Sequence, residues 1–212
     1  MLILSNLAIS LDGKIATADR SHFYLGTEED RNRMKILRKN TGAIVMGAST
    51  IRAFKRPCLA KDSDTHPINA IISHKLSGFD PDWAFFKSDK IKRIIYYSES
   101  PSREVLDTYT TSCELVHLNS DSPIASQIAK HLKSLGIKSC IVEGGGSVMW
   151  DFVSQNLIDE YHVTLTPSLV GGSEAPTLVD GKGFSAKDIL KLKLVSHEEV
   201  AGEIFLVYRK NA

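Results

Sequence analysis

Cysteine is scarce in this sequence: three in 212 residues, Cys58, Cys113 and Cys140, far apart and without metal-ligand spacing. That excludes a disulfide-stapled fold and a cysteine-built metal centre, and leaves reduced, mostly buried thiols as the expectation. Neither sign of charge dominates, with 26 Lys and Arg against 25 Asp and Glu, a net charge of +1, and no block of four like charges. A binder that works by electrostatic attraction to nucleic acid or to a membrane surface is thereby excluded. Long apolar runs are missing too: the stretch 204–208 has five residues, against the roughly 20 that a spanning helix needs. The first residues carry neither a basic n-region nor a cleavage site, so the expected compartment is the cytoplasm.

What is present is an ordinary globular balance, 42% hydrophobic and 24% charged, with no internal repeat, low-complexity tract or Pro/Ser-rich linker. One domain over 1–212 is expected. Short runs rich in Ile, Val and Tyr at 2–8, 43–46, 68–72, 93–97, 115–118, 139–142, 161–165, 190–195 and 204–208 read as strands. Helical spacing occurs between them. Thr27-Glu28-Glu29-Asp30 places a capping hydroxyl before an acidic first turn and predicts a helix to about Asn40. Ile124, Ile128, Leu132 and Leu135 predict a second over 123–135, and Val148, Met149, Phe152 and Val153 a third. Alternating strands and helices in the middle of the chain, then a helix-poor last third, imply an α/β fold: a mixed, mostly parallel sheet flanked by helices, with an antiparallel C-terminal edge. The polar stretch 55–66 reads as a long functional loop.

Three polar turns follow strands. The strongest is Glu143-Gly144-Gly145-Gly146-Ser147, between the buried strand 139–142 and a helix. Glycines there let a ligand approach the backbone, and a helix N-terminus offers unpaired N–H groups to a phosphate. Met149 stands where the third glycine of G-x-G-x-x-G belongs, which disfavours a Rossmann dehydrogenase. Ser10-Leu11-Asp12-Gly13-Lys14 follows a first strand expected inside the sheet, and Gly47-Ala48-Ser49-Thr50 opens a short helix after the second. Each alone is equally explained as a tight turn; together they favour a shared phosphate or cofactor cleft.

Ser10-Leu11-Asp12-Gly13-Lys14, Leu37-Arg38, Ala43-Ile44-Val45-Met46-Gly47 with Thr50, Pro57-x-Leu59, Val142-Glu143-Gly144-Gly145 and Pro167-x-Leu169-x-Gly171-Gly172 together resemble, in order along nearly the whole chain, the reductase domain of the riboflavin-biosynthesis deaminase/reductase family. The resemblance implies a dihydrofolate reductase-like fold, a homodimer, and NADPH reducing a phosphorylated ribosylaminopyrimidine to the ribitylamino compound. It implies cofactor contacts at Ala8, Tyr24, Thr50, Gly144, Gly145, Gly146, Ser147, Val148 and Met149, with Ser73 and His74, beside Lys75, on the ribose 2′-phosphate. It implies substrate contacts at His22, Arg38, Leu59 and Glu143, and Asp12 or Lys14 as the groups that handle a proton. The His-x-Glu and Pro-Cys-x-x-Cys pair of a zinc deaminase does not occur.

Departures accompany the matches. His22 and Tyr24 replace a serine and a tryptophan of the family, and Phe54-Lys55-Arg56 stands where two aspartates precede Pro-x-Leu. Arg38 with Lys55, Arg56 and Lys61 implies an anionic, phosphorylated small molecule as substrate. Two other readings stay open: a dihydrofolate reductase-like oxidoreductase with a different pterin, pyrimidine or xenobiotic acceptor, and a nucleotide-binding accessory protein without turnover.

Overall fold

The structure is a computed structural model that describes residues 1–21, 23–60 and 62–211. Its elements run β1 (Leu2–Ile9), α1 (Glu28–Lys39), β2 (Ala43–Gly47), α2 (Ala48–Phe54), β3 (Ile68–Ile72), α3 (Ala84–Lys87), β4 (Arg93–Tyr97), α4 (Arg103–Thr110), β5 (Glu114–His117), α5 (Ile124–Ser134), β6 (Ser139–Val142), α6 (Gly146–Val153), β7 (Glu160–Leu165), β8 (Leu192–Val200) and β9 (Glu203–Lys210). The nine strands form one sheet in the order β5-β4-β3-β2-β6-β1-β7-β9-β8. Neighbours from β5 to β7 pair in parallel, while β7–β9 and β8–β9 are antiparallel. All nine expected strands are present, and the first lies inside the sheet between β6 and β7.

Alternation across the pleat divides the core in two. Ile3, Leu7, Val45, Ile72, Ile94 and Val142 face α5 and α6 through Ile128, Leu132, Met149 and Phe152. Leu4, Ile44, Met46, Ile71, Ile95 and Ile141 face the other way, toward Leu37, Ile51, Phe85, Phe86 and Tyr109. Burial on both faces is why β2, β3 and β6 read as continuous apolar runs. Among the described residues no helix is long and apolar enough to cross a membrane.

Three expectations need correction. Thr27 does not cap α1 with its side chain; Thr27 N–H and Oγ1–H donate instead to Glu203 Oε1 and Oε2, at 2.8 and 2.5 Å. Glu203 is a fully buried carboxylate at the start of β9, and it ties the entry of α1 to the C-terminal hairpin. β8 extends past 195 through Ser196, His197 and Glu198, because it is the outer strand and exposed along most of its length; such a strand needs no apolar face. The helices α3 and α4 were not read from the sequence. A single turn such as α3 has no detectable period, but α4 carried a signal in Ser102, whose Oγ accepts from Val105 N–H at 3.4 Å.

The loop 55–66 is pinned by Asn69, fully buried at the start of β3. Its Oδ1 accepts from Cys58 N–H at 2.8 Å, and its Nδ2–H₂ donates to the carbonyls of Cys58 and Pro67, both at 3.0 Å. Replacing Asn69 with Ala removes these bonds and leaves buried backbone groups unpaired. At 0.5–1.5 kcal/mol per bond, unfolding free energy in urea is expected to fall by about 2–4 kcal/mol; an unshifted midpoint would show that the loop is anchored elsewhere.

Candidate active site

Because β1 to β7 are parallel, the turns at 10–14, 47–50, 73–75 and 143–147 all leave the same edge of the sheet, where ligands of open α/β sheets bind. The glycines of the 144–146 turn have separate causes. A Cβ on Gly144 would lie 2.5 Å from Met46 Cα and Gly47 N, so the turn after β6 rests directly on the end of β2. A Cβ on Gly146 would lie 2.2 Å from Asp180 Oδ2 and 2.6 Å from the Thr177 carbonyl. Two of the three glycines are therefore required by packing within the protein. Gly145 differs, with φ +55° and nothing within 4 Å of a Cβ; this is the one glycine open to a ligand. Among the described residues, the N–H groups of 144–148 have no hydrogen-bond acceptor, which leaves five donors without a partner around the start of α6.

Val148 and Met149 are corrected at the side-chain level. Both are buried against the core, and Met149 N–H donates to Gly145 O at 3.0 Å within the helix. Met149 thus has neither a side chain nor an amide to give a cofactor, while Val148 offers only its N–H. Ser147 is exposed, Ala8 and Thr50 are half-buried, and all three lie at this edge. Of the residues expected at a 2′-phosphate, Ser73 is buried with its amide donating to Tyr96 O, whereas His74 and Lys75 are exposed. His74 Nδ1 shares a 2.7 Å hydrogen bond with Ser98 Oγ. Asp151 on α6 is close enough for His74 to stabilise its charge, although burial raises its pKa overall.

On the other face of the edge, Arg38 and Glu143 form a bidentate pair. Arg38 Nε–H donates to Glu143 Oε1 and Oε2 at 2.9 and 3.1 Å, and Nη2–H to Oε2 at 2.6 Å. The side chains are 13% and 7% exposed. Burial disfavours the guanidinium charge, but the neighbouring Glu143 carboxylate more than offsets it and raises the Arg38 pKa. Arg38 is thus already committed to a carboxylate through Nε and Nη2, and among the described residues Nη1 has no hydrogen-bond partner. Cys58 lies beside this pair, and burial pushes its thiol up to about 11. Leu59 packs on the same core face. Tyr24 is half-exposed, 6.1 Å from the Phe54 ring and under the Arg31 guanidinium at 5.0 Å. His22 and Lys61 lie outside the described residues. Lys55 does not converge on Arg38, since its Nζ sits 5.4 Å over the Trp83 ring.

Asp12 is corrected as a proton donor. Its carboxylate accepts from Ser10 Oγ at 2.6 Å, Val170 N–H at 3.1 Å and Gly171 N–H at 2.7 Å. These bonds, the Ser10 hydroxyl foremost, hold its pKa at about 2, so at neutral pH it has no proton to give. It is a latch between the turn after β1 and the loop after β7. Lys14 Nζ–H donates to Ala175 O at 3.0 Å. Sequence reasoning missed Thr177, Asp180 and Glu203, each of which depends on a contact distant in the chain.

The sequence matches the RibD C-terminal domain over residues 1–206. The chain belongs to that family. A curated relative from Methanothermobacter thermautotrophicus, named 2,5-diamino-6-ribosylamino-4(3H)-pyrimidinone 5′-phosphate reductase, is 28% identical over 211 residues, 97% of this chain and 96% of its own. Among solved structures, a pyrimidine reductase-like protein from Corynebacterium diphtheriae superposes with a TM-score of 0.87 at 19% identity, over 100% of this chain and 92% of that one. A Thermotoga maritima diaminohydroxyphosphoribosylaminopyrimidine deaminase/5-amino-6-(5-phosphoribosylamino)uracil reductase superposes at 0.78 and 20% identity, over 99% of this chain and 56% of that one. These likenesses establish the mixed α/β fold of RibD reductase domains.

The Arg38–Glu143 pair gives a direct test of the site's electrostatics. Arg38→Met should cost about 3–5 kcal/mol in chemical denaturation, since it strands a buried carboxylate. Adding Glu143→Gln in the same chain should recover most of that loss. Equal losses in the single and double variants would mean that the pair does not contribute as drawn.

Proposed function

We infer that the protein is a pyrimidine reductase of riboflavin biosynthesis, an oxidoreductase that uses a nicotinamide cofactor, NADPH, to convert a phosphorylated ribosylaminopyrimidine to its ribitylamino product. The observation that carries this reading is the juxtaposition at one sheet edge of an anion cradle at 144–148 and the Arg38–Glu143 pair, in a chain that spans nearly all of a relative bearing that name.

The cradle fits a dinucleotide: its N–H groups are unpaired, and the open position at Gly145 leaves room for a pyrophosphate. The backbone at 144–148 would hold it, with Ala8, Tyr24, Thr50 and Ser147 alongside and His74 toward the ribose phosphate. When bound, NADPH supplies a hydride to C1′ of the ring-opened sugar. The chain's part is to fix the acceptor. Arg38 and Glu143, with Leu59 on the same face, take the substrate, and the anionic end of a phosphorylated sugar is drawn to the remaining Arg38 N–H groups. Lys14, held by Ala175, is the proton-bearing group left of the two first considered. Asp12 keeps the rim in place.

NADPH oxidation should require the ribosylaminopyrimidine phosphate and should not occur with dihydrofolate. Gly145→Val should lower NADPH affinity about tenfold or more, by filling the cradle and disfavouring a positive φ, with circular dichroism still that of a folded chain. Oxidation with dihydrofolate alone would favour the other-acceptor reading, and binding without any turnover the accessory-protein reading.

We also propose a homodimer. β9 lies between β7 and β8, so the strand at 204–208 is not an edge. β8 is the outer strand at this end of the sheet, with Leu192, Leu194 and Val195 exposed in its first half; an open strand edge carrying apolar side chains invites a second strand. Sedimentation at micromolar concentration should give twice the 23.4 kDa of the chain, and a monomer alone would refute the dimer.

A further inference from the structure

We propose that Phe54 is a positioning residue: with Arg31, it holds the Tyr24 ring as a wall across the acceptor end of the cleft between α1 and α2. The inference rests on the reductase reading and names what bounds the acceptor there. Both rings stand where the chain departs from the family, tyrosine for tryptophan and phenylalanine for aspartate. The structure brings the two departures together, with ring centroids 6.1 Å apart and planes at 59°. Two substitutions far apart in the chain are thus one change in the site.

Helix geometry puts this pair over the cleft. Arg31 and Arg38 lie two turns apart on one side of α1. Arg38 reaches Glu143 at the end of β6, and Arg31 places its guanidinium 5.0 Å from the Tyr24 ring centroid. On α2, Thr50 and Phe54 are one turn apart on a flank, while Ala48 and Ile51 take the buried side. Tyr24 therefore bridges the two helices, from Arg31 to Phe54, across the side of α1 that carries Arg38.

The two ends of the bridge are fixed. Arg31 Nη1–H donates to Gly26 O at 3.1 Å. Gly26 is buried against Asp30, where a Cβ would meet Oδ2 at 2.3 Å, so the chain just beyond Tyr24 is held on α1. At the other end, α2 stops at Phe54 with Lys55 at φ +55°. Lys55 N–H donates to Ile51 O at 2.8 Å, and Lys55 O accepts from Phe85 N–H at 3.0 Å. Among the described residues, Tyr24 belongs to neither core cluster and is half-exposed, so ring contacts such as these set its direction.

The wall stands on the α1 and α2 face of the sheet, whereas the 144–148 turn opens at α6 on the other face. A displaced Tyr24 ring would therefore loosen the acceptor and leave the pyrophosphate grip as it was. A wall acts on bound acceptor and transition state alike, so its loss raises KM and spares kcat. A folding defect does the reverse: it lowers the active fraction, and with it kcat, at constant KM.

Steady-state kinetics with the ribosylaminopyrimidine phosphate separate the two. Phe54→Ala should raise KM about tenfold, with kcat within about threefold and the NADPH Kd within about twofold of wild type. Phe54→Tyr keeps a ring and should retain the wild-type KM. In a chain that already carries Tyr24→Ala, adding Phe54→Ala should change KM by less than about twofold, because Phe54 acts through Tyr24. Phe54→Leu keeps bulk without the ring and reads the inference if the Ala variant does not fold. An unchanged KM in a folded variant lacking the ring, or effects at the two positions that multiply, overturns the proposal while the reductase reading stands. No turnover of this substrate by the wild type overturns the reductase reading, and the inference with it.

Discussion

The parallel pairing of seven strands is the constraint from which the site follows. A strand carries no chemistry at its middle when both faces are buried, so whatever the chain uses to meet a ligand must sit where strands end. Parallel pairing puts all those ends on one side. Residues as distant as Asp12, Thr50, His74 and Glu143 thereby share a single edge, and helices on each face divide it into a side above α6 and a side beneath α1.

Legibility in the sequence tracked burial. β3, β4 and β6 were bounded correctly because residues such as Ile71, Ile95 and Ile141 are enclosed on both faces, and enclosure forces an apolar run. β8 was cut short because an outer strand tolerates His197 and Glu198. At the site, residue types were legible and their partners were not. Asp12 looks like an acid until three donors are found on it, and Met149 looks like part of a glycine-rich turn until its side chain is found in the core. Arg38 and Glu143 were each legible as candidate residues, yet the bidentate bond between them joins positions 105 apart, a distance at which one sequence carries no pairing signal.

Contacts of that range also determine which carboxylates are available to a ligand. Glu143 and Glu203 are satisfied by Arg38 and Thr27, and these bonds hold α1 at both ends against the sheet: Glu203 near its start, Glu143 near its finish. A helix clamped at two points presents its inward residues at fixed depth.

The packing of the glycine turn has a consequence for how binding proceeds. Gly144 rests on Met46 and Gly47, and Gly146 on Thr177 and Asp180, so the segment between them is clasped from both sides before any ligand arrives. The conformational entropy of that segment is lost when the chain folds and does not have to be lost again on association. An anion held there, as proposed, would meet a turn already in place, with no loss of its conformational freedom to offset.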